Sequence, residues 1–213
     1  VIGPGSSGVQ SIPIIAAQAD HVTVFQRTAN FTLPAANRKL DPATAAASKE
    51  TLLEDRKHAL TTAGGIICFE YNEKLAEEFT DAEVEAEMKS RWEAGGFAFL
   101  GAFGDVMLTK EANDKAANFA RREMAKHIKN PEIVDLLLPN DHPIGVKRLC
   151  LDTDYLETFN APHVKLVNSR ATPVTRISGD GIVCGDTEYK VDVIVFATGF
   201  DAMTGSILGV DIT

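Results

Sequence analysis

The chain has 213 residues, of which 45% are hydrophobic and 24% are charged, which is ordinary for a globular protein. Its formal net charge of −9 argues against a general surface for nucleic acid or anionic membranes. We find neither an apolar run of about 18 residues nor a signal peptide, so we expect no membrane span. The cysteines form no C-x-x-C pair, which favours a reduced, cytoplasmic setting and predicts no metal site or redox dithiol: Cys68, Cys150 and Cys184.

The first predicted element is a glycine-rich turn. Gly3, Gly5 and Gly8 form the pattern G-x-G-x-x-G, between an apolar pair at 1–2 and a predicted helix at 9–19. In dinucleotide-binding units the first glycine permits a tight turn, the second lets the backbone approach a pyrophosphate, and the third lets helix and strand pack closely. The start of the helix offers N–H groups and a positive dipole end to the phosphates. Taken alone, the motif is also compatible with a glycine turn that binds nothing.

A short β-branched strand is predicted next, over residues 21–25. About 20 residues past the glycines, an NAD site has an Asp or Glu that binds the ribose hydroxyls. This chain has Arg27 and Thr28 there. Because a guanidinium suits a 2′-phosphate, we predict NADP rather than NAD. The alternative is a solvated arginine at a strand end.

Residues 28–41 are rich in turn formers and are predicted to be a loop, and residues 42–138 are predicted to be mostly helical. Thr80 and Glu83 form a capping box that opens one of the helices. The aromatic side chains of this region are predicted to lie in the core or an interface: Trp92, Phe97, Phe99 and Phe103. The predicted helices cover residues 43–60, 81–93, 110–129 and 131–138.

A strand pattern returns in the last third of the chain. We predict a strand at 163–168, a hairpin over 172–184 and a strand at 191–196. The last of these is nearly all apolar, as a strand covered on both faces should be. The small residues that follow it would let the backbone lie close to a ligand or a neighbouring domain: Ala197, Thr198 and Gly199.

These elements predict an α/β fold, namely a Rossmann-like dinucleotide-binding domain. It would have a central parallel sheet, a β-hairpin or meander and a large helical insertion. Within one NADPH-binding domain, 1–41 would hold the glycine turn and the 2′-phosphate region, 42–138 the insertion, and 139–213 the remaining strands. Because only two residues precede the glycine turn, we expect the chain to be part of a longer protein.

Several stretches of the sequence occur in a characteristic order. They are G-P-G-S-S-G-V-Q at 3–10, V-F-Q-R-T-A-N-F at 24–31, G-V-K-R at 145–148 followed by Asp152 and Tyr155, and V-F-A-T-G-F-D at 195–201. Together they resemble the NADPH-binding half of a Baeyer–Villiger monooxygenase of the cyclohexanone and phenylacetone monooxygenase type. The resemblance covers nearly the whole chain, and the predicted helical insertion falls where this family has one.

The resemblance implies roles for individual residues. Arg27, Thr28 and Lys147 would hold the adenosine 2′-phosphate. Arg148 would be the catalytic arginine that faces the flavin, where a permanent positive charge can stabilise an anionic flavin peroxide and the oxyanion of a ketone adduct. The remaining cofactor-binding residues would be Gly3, Gly5, Ser6, Ser7, Gly8, Gln10, Ala197, Thr198 and Gly199.

The resemblance also implies an activity. The parent protein would use FAD, NADPH and O₂ to convert small-molecule ketones into esters or lactones. FAD would be bound mainly by a further domain of the parent chain, hinged to the end of this one, so this chain alone is expected to be inactive. The alternatives are a flavin monooxygenase that oxygenates nitrogen or sulfur, and a non-catalytic NADP-binding module. Pro4 departs from the family pattern, and it removes an N–H group from the turn.

Overall fold

The computed structural model describes residues 1–62, 65, 67, 71–200 and 204–211, with the backbone alone at Ser206. Cys68 and Asp201 lie outside the described residues. The chain forms two compact units. The first unit comprises Val1–Asn30, Met124–Asn140 and Asp154–Thr213, and the second comprises Phe31–Glu123 and Asp141–Thr153. The division at residues 41/42 and 138/139 stays a prediction.

The described elements make a mixed α/β structure with small parallel sheets. The helices are α1 (Ser6–Ala16), α2 (Pro42–Ala59), α3 (Asp81–Ala94), α4 (Lys110–Ala125), α5 (Pro131–Leu137), α6 (Tyr155–Thr158) and α7 (Gly205–Leu208), with 3₁₀ turns at Ala76–Glu78 and Gly96–Gly101. The strands are β1 (Val22–Gln26), β2 (Thr32–Pro34), β3 (Cys150–Asp152), β4 (Val164–Asn168), β5 (Val174–Ile177), β6 (Gly181–Cys184) and β7 (Thr187–Lys190). None of the helices within the described ranges is long and apolar enough to cross a membrane.

The first unit is built on the parallel pair of β1 and β4, which confirms the predicted strands at 21–25 and 163–168. Next to β1, Ile2 makes parallel bridges to Phe25 and to Phe196. The backbone order across this sheet is therefore β4, β1, Ile2 and Phe196.

An antiparallel meander of β5, β6 and β7 covers this sheet. Ile182 and Cys184 of β6 pack with Phe25 and Val167 in a buried cluster. Burial raises the pKa of the Cys184 thiol. The predicted hairpin over 172–184 is confirmed, and β7 adds a third strand to it.

The predicted strand at 191–196, covered on both faces, is wrong. Its only bridge in the described structure is between Phe196 and Ile2, flanked by hydrogen bonds from Ile2 N to Val195 O at 2.9 Å and from Ala197 N to Ile2 O at 2.8 Å. Val193 is 75% exposed and Phe196 is 62% exposed. The apolar run lacks a strand ladder because its neighbouring segment contributes a single residue to the pairing.

Helix α1 packs closely on the glycine turn and begins at Ser6, three residues before the predicted start. A Cβ atom at Gly8 would come closer to the carbonyl oxygen of Gly3 than real Cβ atoms approach. Gly3 has a φ of +96°, and a Cβ there would lie 2.7 Å from the carbonyl oxygen of Ala197. By contrast, a Cβ at Gly5 meets nothing within 4 Å. Two of the glycines are thus required by packing, whereas the third leaves open space.

The helices of the second unit follow the sequence signals. The hydroxyl of Thr80 accepts a hydrogen bond from Glu83 N at 3.4 Å, and the Glu83 carboxylate accepts one from Thr80 N at 2.9 Å. These bonds from the backbone and hydroxyl of Thr80 hold the pKa of Glu83 below its usual range. Helix α3 then ends at Ala94, and Gly95, with a φ of +77°, is its C-cap residue. The predicted capping box is confirmed, and the helix predicted over 81–93 ends one residue later than predicted.

The core of the second unit is aromatic. The rings of Trp92, Phe99 and Phe119 lie with centroids 5.5–6.0 Å apart, and Phe103 is buried. The predicted core positions of Trp92, Phe99 and Phe103 are confirmed, and Phe97 is half-buried.

Residues 28–41, which were predicted to be a loop, contain strand β2, so that prediction is wrong in part. β2 is three residues long and pairs in parallel with β3. A strand this short, with its partner far along the chain, leaves no periodic pattern in the sequence.

Helix α4 ends at Ala125, before the predicted end at 129. Beyond this end, the side chain of Asn160 binds the backbone of the following residues. It accepts a hydrogen bond from Lys129 N and donates one to His127 O, each at 2.8 Å. Helix α5 begins at Pro131, as predicted, with the side chain of Asn130 as its cap.

Gly8→Ala is expected to destabilise the chain by about 1–3 kcal/mol, since a new methyl group in a closely packed contact forces a backbone shift. The free energy of unfolding would be measured by urea titration followed by circular dichroism. Gly179→Ala is the matched control, because a Cβ there meets nothing within 4 Å, and it should change the free energy of unfolding by no more than about 0.5 kcal/mol. A Gly8→Ala variant as stable as the parent would contradict the close contact with Gly3.

Asn113 yields a second prediction. Its buried amide donates to Val106 O and Ile144 O, both at 2.9 Å, and accepts from Ile144 N at 3.1 Å. Asn113→Ala leaves these backbone groups unpaired and is expected to lower the free energy of unfolding by about 2–4 kcal/mol. Asn118→Ala, on the exposed face of α4, should change it by less than about 0.5 kcal/mol. Equal effects of the two substitutions would contradict the anchoring role of Asn113.

Candidate functional site

The candidate site of the first unit is the turn between Ile2 and α1. Backbone hydrogen bonds hold the turn on both sides: Gly3 N donates to Phe25 O at 3.1 Å, and Ala197 N donates to Ile2 O. The turn therefore has a fixed position between β1 and the segment at 195–197. Pro4 is buried within it, so the N–H donors of this loop come from its other residues.

The first turn of α1 is suited to an anion. Gly5 is its N-cap residue, no described side chain caps the helix, and no acidic residue lies in its first turn. The first N–H groups of an α-helix have no acceptor within the helix, and the helix dipole adds positive potential there. Ser6 and Ser7 are exposed at this end, and Gln10 is exposed one turn later. With the open space at Gly5, this arrangement can accept a phosphate or pyrophosphate group.

Arg27 and Thr28 follow directly after β1. The last residue of the strand, Gln26, is only 5% exposed, and its side-chain amide donates to Leu136 O in α5. Beyond this anchor, Arg27 is exposed and Thr28 is half-buried. The guanidinium thus lies at the carboxyl end of β1, where open α/β sheets bind ligands. Gln26 is not among the predicted site residues, although a polar residue at the end of an apolar strand is a visible signal.

Ala197 lies beside the glycine turn. A Cβ placed at Gly8 would lie 3.7 Å from the Cβ of Ala197, and the carbonyl oxygen of Ala197 faces Gly3. Thr198 and Gly199 follow as exposed residues, with a φ of +91° at Gly199. The structure therefore brings the predicted segment at 197–199 and the predicted glycine turn together in the first unit. Their role in binding a cofactor stays a prediction.

Lys147 and Arg148 are exposed and belong to the second unit. Their loop is anchored at both ends: before it, Asn113 binds both backbone groups of Ile144, and after it Cys150 N donates to Phe31 O at 3.2 Å, where β3 joins β2. Two cationic side chains are thus presented on a loop of fixed backbone. Sequence reasoning missed Asn113, because a buried asparagine in a helix has no signature before its partners are known.

The two sets of predicted residues lie in different compact units. The glycine turn, Gln10, Arg27, Thr28 and the segment at 197–199 belong to the first, and Lys147 and Arg148 belong to the second. Within the described ranges, no group of three His, Cys, Asp or Glu side chains lies close enough together to hold a metal ion.

Comparisons with characterised proteins place this arrangement in a family. No family model matches the sequence. The chain is 35% identical over 218 residues to the 2-oxo-Δ³-4,5,5-trimethylcyclopentenylacetyl-CoA monooxygenase of Pseudomonas putida. It is 38% identical over 214 residues to the cyclopentanone 1,2-monooxygenase of Comamonas sp. and 35% identical over 212 residues to the phenazine N-monooxygenase PhzNO1 of Lysobacter antibioticus. These matches cover 97–100% of this chain but only 38–39% of the relatives.

Solved structures match as well. The crystal structure of OTEMO in complex with FAD and NADP superposes with a TM-score of 0.92 at 32% identity. The oxidised steroid monooxygenase bound to NADP superposes with a TM-score of 0.90 at 44% identity. Each match covers 97% of this chain and 39% of the other chain. The chain belongs to the Baeyer–Villiger monooxygenase family, of the cyclohexanone monooxygenase and OTEMO type, and spans about 39% of the length of its relatives.

Proposed function

We propose that the chain is the NADPH-binding part of an FAD-dependent Baeyer–Villiger monooxygenase, which converts ketones into esters or lactones with O₂ and NADPH. The observation that carries the proposal is the packed glycine turn at the start of α1, with Arg27 at the neighbouring strand end. In this proposal the first unit's sheet and meander belong to a Rossmann-like domain, and 42–138 are its helical insertion. The chain by itself is inactive, because FAD is bound mainly by other parts of the parent protein.

In this proposal, different predicted site residues bind different parts of NADP(H). The start of α1, with Ser6 and Ser7, binds the pyrophosphate, because its N–H groups and dipole favour negative charge. Gln10, one turn along the helix, reaches the neighbouring ribose. Arg27 donates charge-assisted hydrogen bonds to the 2′-phosphate, supported by Thr28 and Lys147.

Arg148 has a different role in the proposal. FAD supplies the oxygen-activating chemistry when it is bound. The Arg148 guanidinium stabilises negative charge that develops on the carbonyl oxygen of the ketone. The anchored backbone around 144–150 supports this role, because it limits how far the charge can move away.

A second candidate is a flavin monooxygenase that oxygenates nitrogen. The relative named phenazine N-monooxygenase favours it, since its identity to this chain, 35%, equals that of the monooxygenase of Pseudomonas putida. A non-catalytic NADP-binding module is the remaining alternative, and it would bind the nucleotide without any oxygenation by the parent protein.

Arg27→Ala is expected to weaken NADP binding about tenfold or more, because a charge-assisted hydrogen bond to the phosphate is lost. Binding would be measured by calorimetric titration of the chain with NADP and, separately, with NAD. The affinity for NAD should not change, because NAD has no 2′-phosphate. Equal or tighter binding of NAD by the unsubstituted chain would contradict the assignment of Arg27.

Arg148→Ala in the full-length parent protein is expected to reduce lactone formation from cyclopentanone about 100-fold or more, in line with the loss of an oxyanion-stabilising group. Lactone would be quantified by gas chromatography, and NADPH affinity should be unchanged in the same variant. Arg176→Ala, an exposed position on β5, is the charge-matched control. Full activity of Arg148→Ala, or oxygenation of amines but not ketones, would favour the second candidate.

A further inference from the structure

The loop after β4 carries an arginine that the glycine-turn motif does not include. We propose that Arg170 is the first unit's second cation for the 2′-phosphate of NADP(H), acting opposite Arg27, and that it contributes to the choice of NADP over NAD. The proposal rests on the proposed NADP(H)-binding function of the first unit, to which both arginines belong.

The parallel pairing of β1 and β4 brings the two arginines to one edge of the sheet. Gln26, the last residue of β1, lies opposite Asn168, the last residue of β4. Arg27 is the residue directly after Gln26, and Arg170 lies two residues after Asn168. The carboxyl ends of parallel strands meet at the same edge, where ligands of open α/β sheets bind. Both arginines therefore lie at the edge where the nucleotide is proposed to bind.

The spacing of the backbone allows both side chains to reach one phosphate. Neighbouring strands lie about 4.8 Å apart and a chain step is about 3.8 Å, so the Cα atoms of Arg27 and Arg170 are at most about 16 Å apart. A hydrogen bond from Ser169 N to Gln26 O at 2.8 Å keeps the two loops together beyond the last ladder pair. Two extended arginine side chains with a phosphate between them can span this distance.

The loop that carries Arg170 has a defined backbone. The side-chain oxygen of Asn168 accepts hydrogen bonds from Arg170 N at 3.1 Å and from Ala171 N at 3.2 Å. Thr172 N donates to the carbonyl oxygen of Asn168 at 3.0 Å. An asparagine that binds the backbone two and three residues ahead closes a tight turn. Arg170 is thus held at a fixed point beside the strand end, with its side chain exposed.

The chemistry of the phosphate favours two guanidinium groups. A 2′-phosphate monoester carries close to two negative charges near neutral pH and has three strong acceptor oxygens, which is more than one planar guanidinium satisfies. NAD has a single hydroxyl group in place of the 2′-phosphate, so its binding gains nothing from a further cation at that position. Arg170 accordingly acts on specificity for NADP rather than on nucleotide binding in general.

Calorimetric titration of Arg170→Ala with NADP and with NAD tests the proposal. We expect NADP to bind about tenfold more weakly and NAD with unchanged affinity. Arg176→Ala, which removes an equal charge from the exposed face of β5, should leave both affinities unchanged. In the Arg27→Ala, Arg170→Ala double variant, the combined loss should differ from the sum of the two single losses, because groups that share a partner are coupled.

The outcomes separate this inference from the proposed function. If the chain binds NADP and Arg27→Ala weakens binding, but Arg170→Ala does not, the role of Arg170 is overturned and the proposed function stands. Equal weakening of NADP and NAD by Arg170→Ala would also overturn it, since the contact would not be with the 2′-phosphate. Failure of the unsubstituted chain to bind NADP would overturn both. If Arg170→Ala lowers the thermal midpoint of the free chain, Arg170→Gln gives the same readout with the side-chain bulk kept.

Discussion

The contact between three small residues at the start of the chain is the constraint on which the first unit depends. Gly3, Gly8 and Ala197 bring the turn, the helix and the neighbouring segment so close that a side chain at either glycine would collide with backbone. This close contact sets where α1 begins, and therefore where its first N–H groups lie relative to the ends of β1 and β4. The glycines that this packing requires are Gly3 and Gly8, whereas the space beside Gly5 is open, which is where the proposed phosphate site lies.

In the proposed function, the groups of the first unit that would distinguish NADP from NAD differ from the groups that would bind the pyrophosphate. The helix start would bind phosphate through backbone groups that any sequence can supply, so it would not distinguish NADP from NAD. The distinction would depend on side chains beyond the strand ends, where anchoring amides fix the backbone and the arginines that follow are exposed. Gln26 holds the end of β1 through its bond to Leu136, and Asn168 closes the turn after β4. In both loops a neutral amide positions the backbone from which an arginine extends.

Much of this structure could be predicted from local signals, and the failures have physical causes. The capping box at Thr80, Pro131 at the start of α5 and the glycine stop at Gly95 act within a few residues, so the sequence shows them directly. Strand β2 and the early end of α4 depend on partners that are distant in sequence, β3 and Asn160, and no window of residues reveals them. The strand predicted at 191–196 was wrong for a related reason. Its apolar composition indicates a buried strand, but it does not show which neighbouring backbone would pair with it. For the candidate site, the glycine turn and Arg27 followed from spacing, whereas the roles of Lys147 and Arg148 came from the family resemblance alone.

The division into two compact units has a consequence for how the proposed functions combine. The residues proposed to select the nucleotide, Arg27 and Arg170, are supported by the core of Phe25, Val167, Ile182 and Cys184. Arg148 follows Ile144 in the second unit, and the amide of Asn113 binds both backbone groups of Ile144. Because the side chains that position each arginine are local, a substitution in one loop need not disturb the other loop. In the proposed function, nucleotide choice and charge stabilisation at the ketone are therefore separable, because each would depend on an arginine whose backbone is held by a different neutral amide.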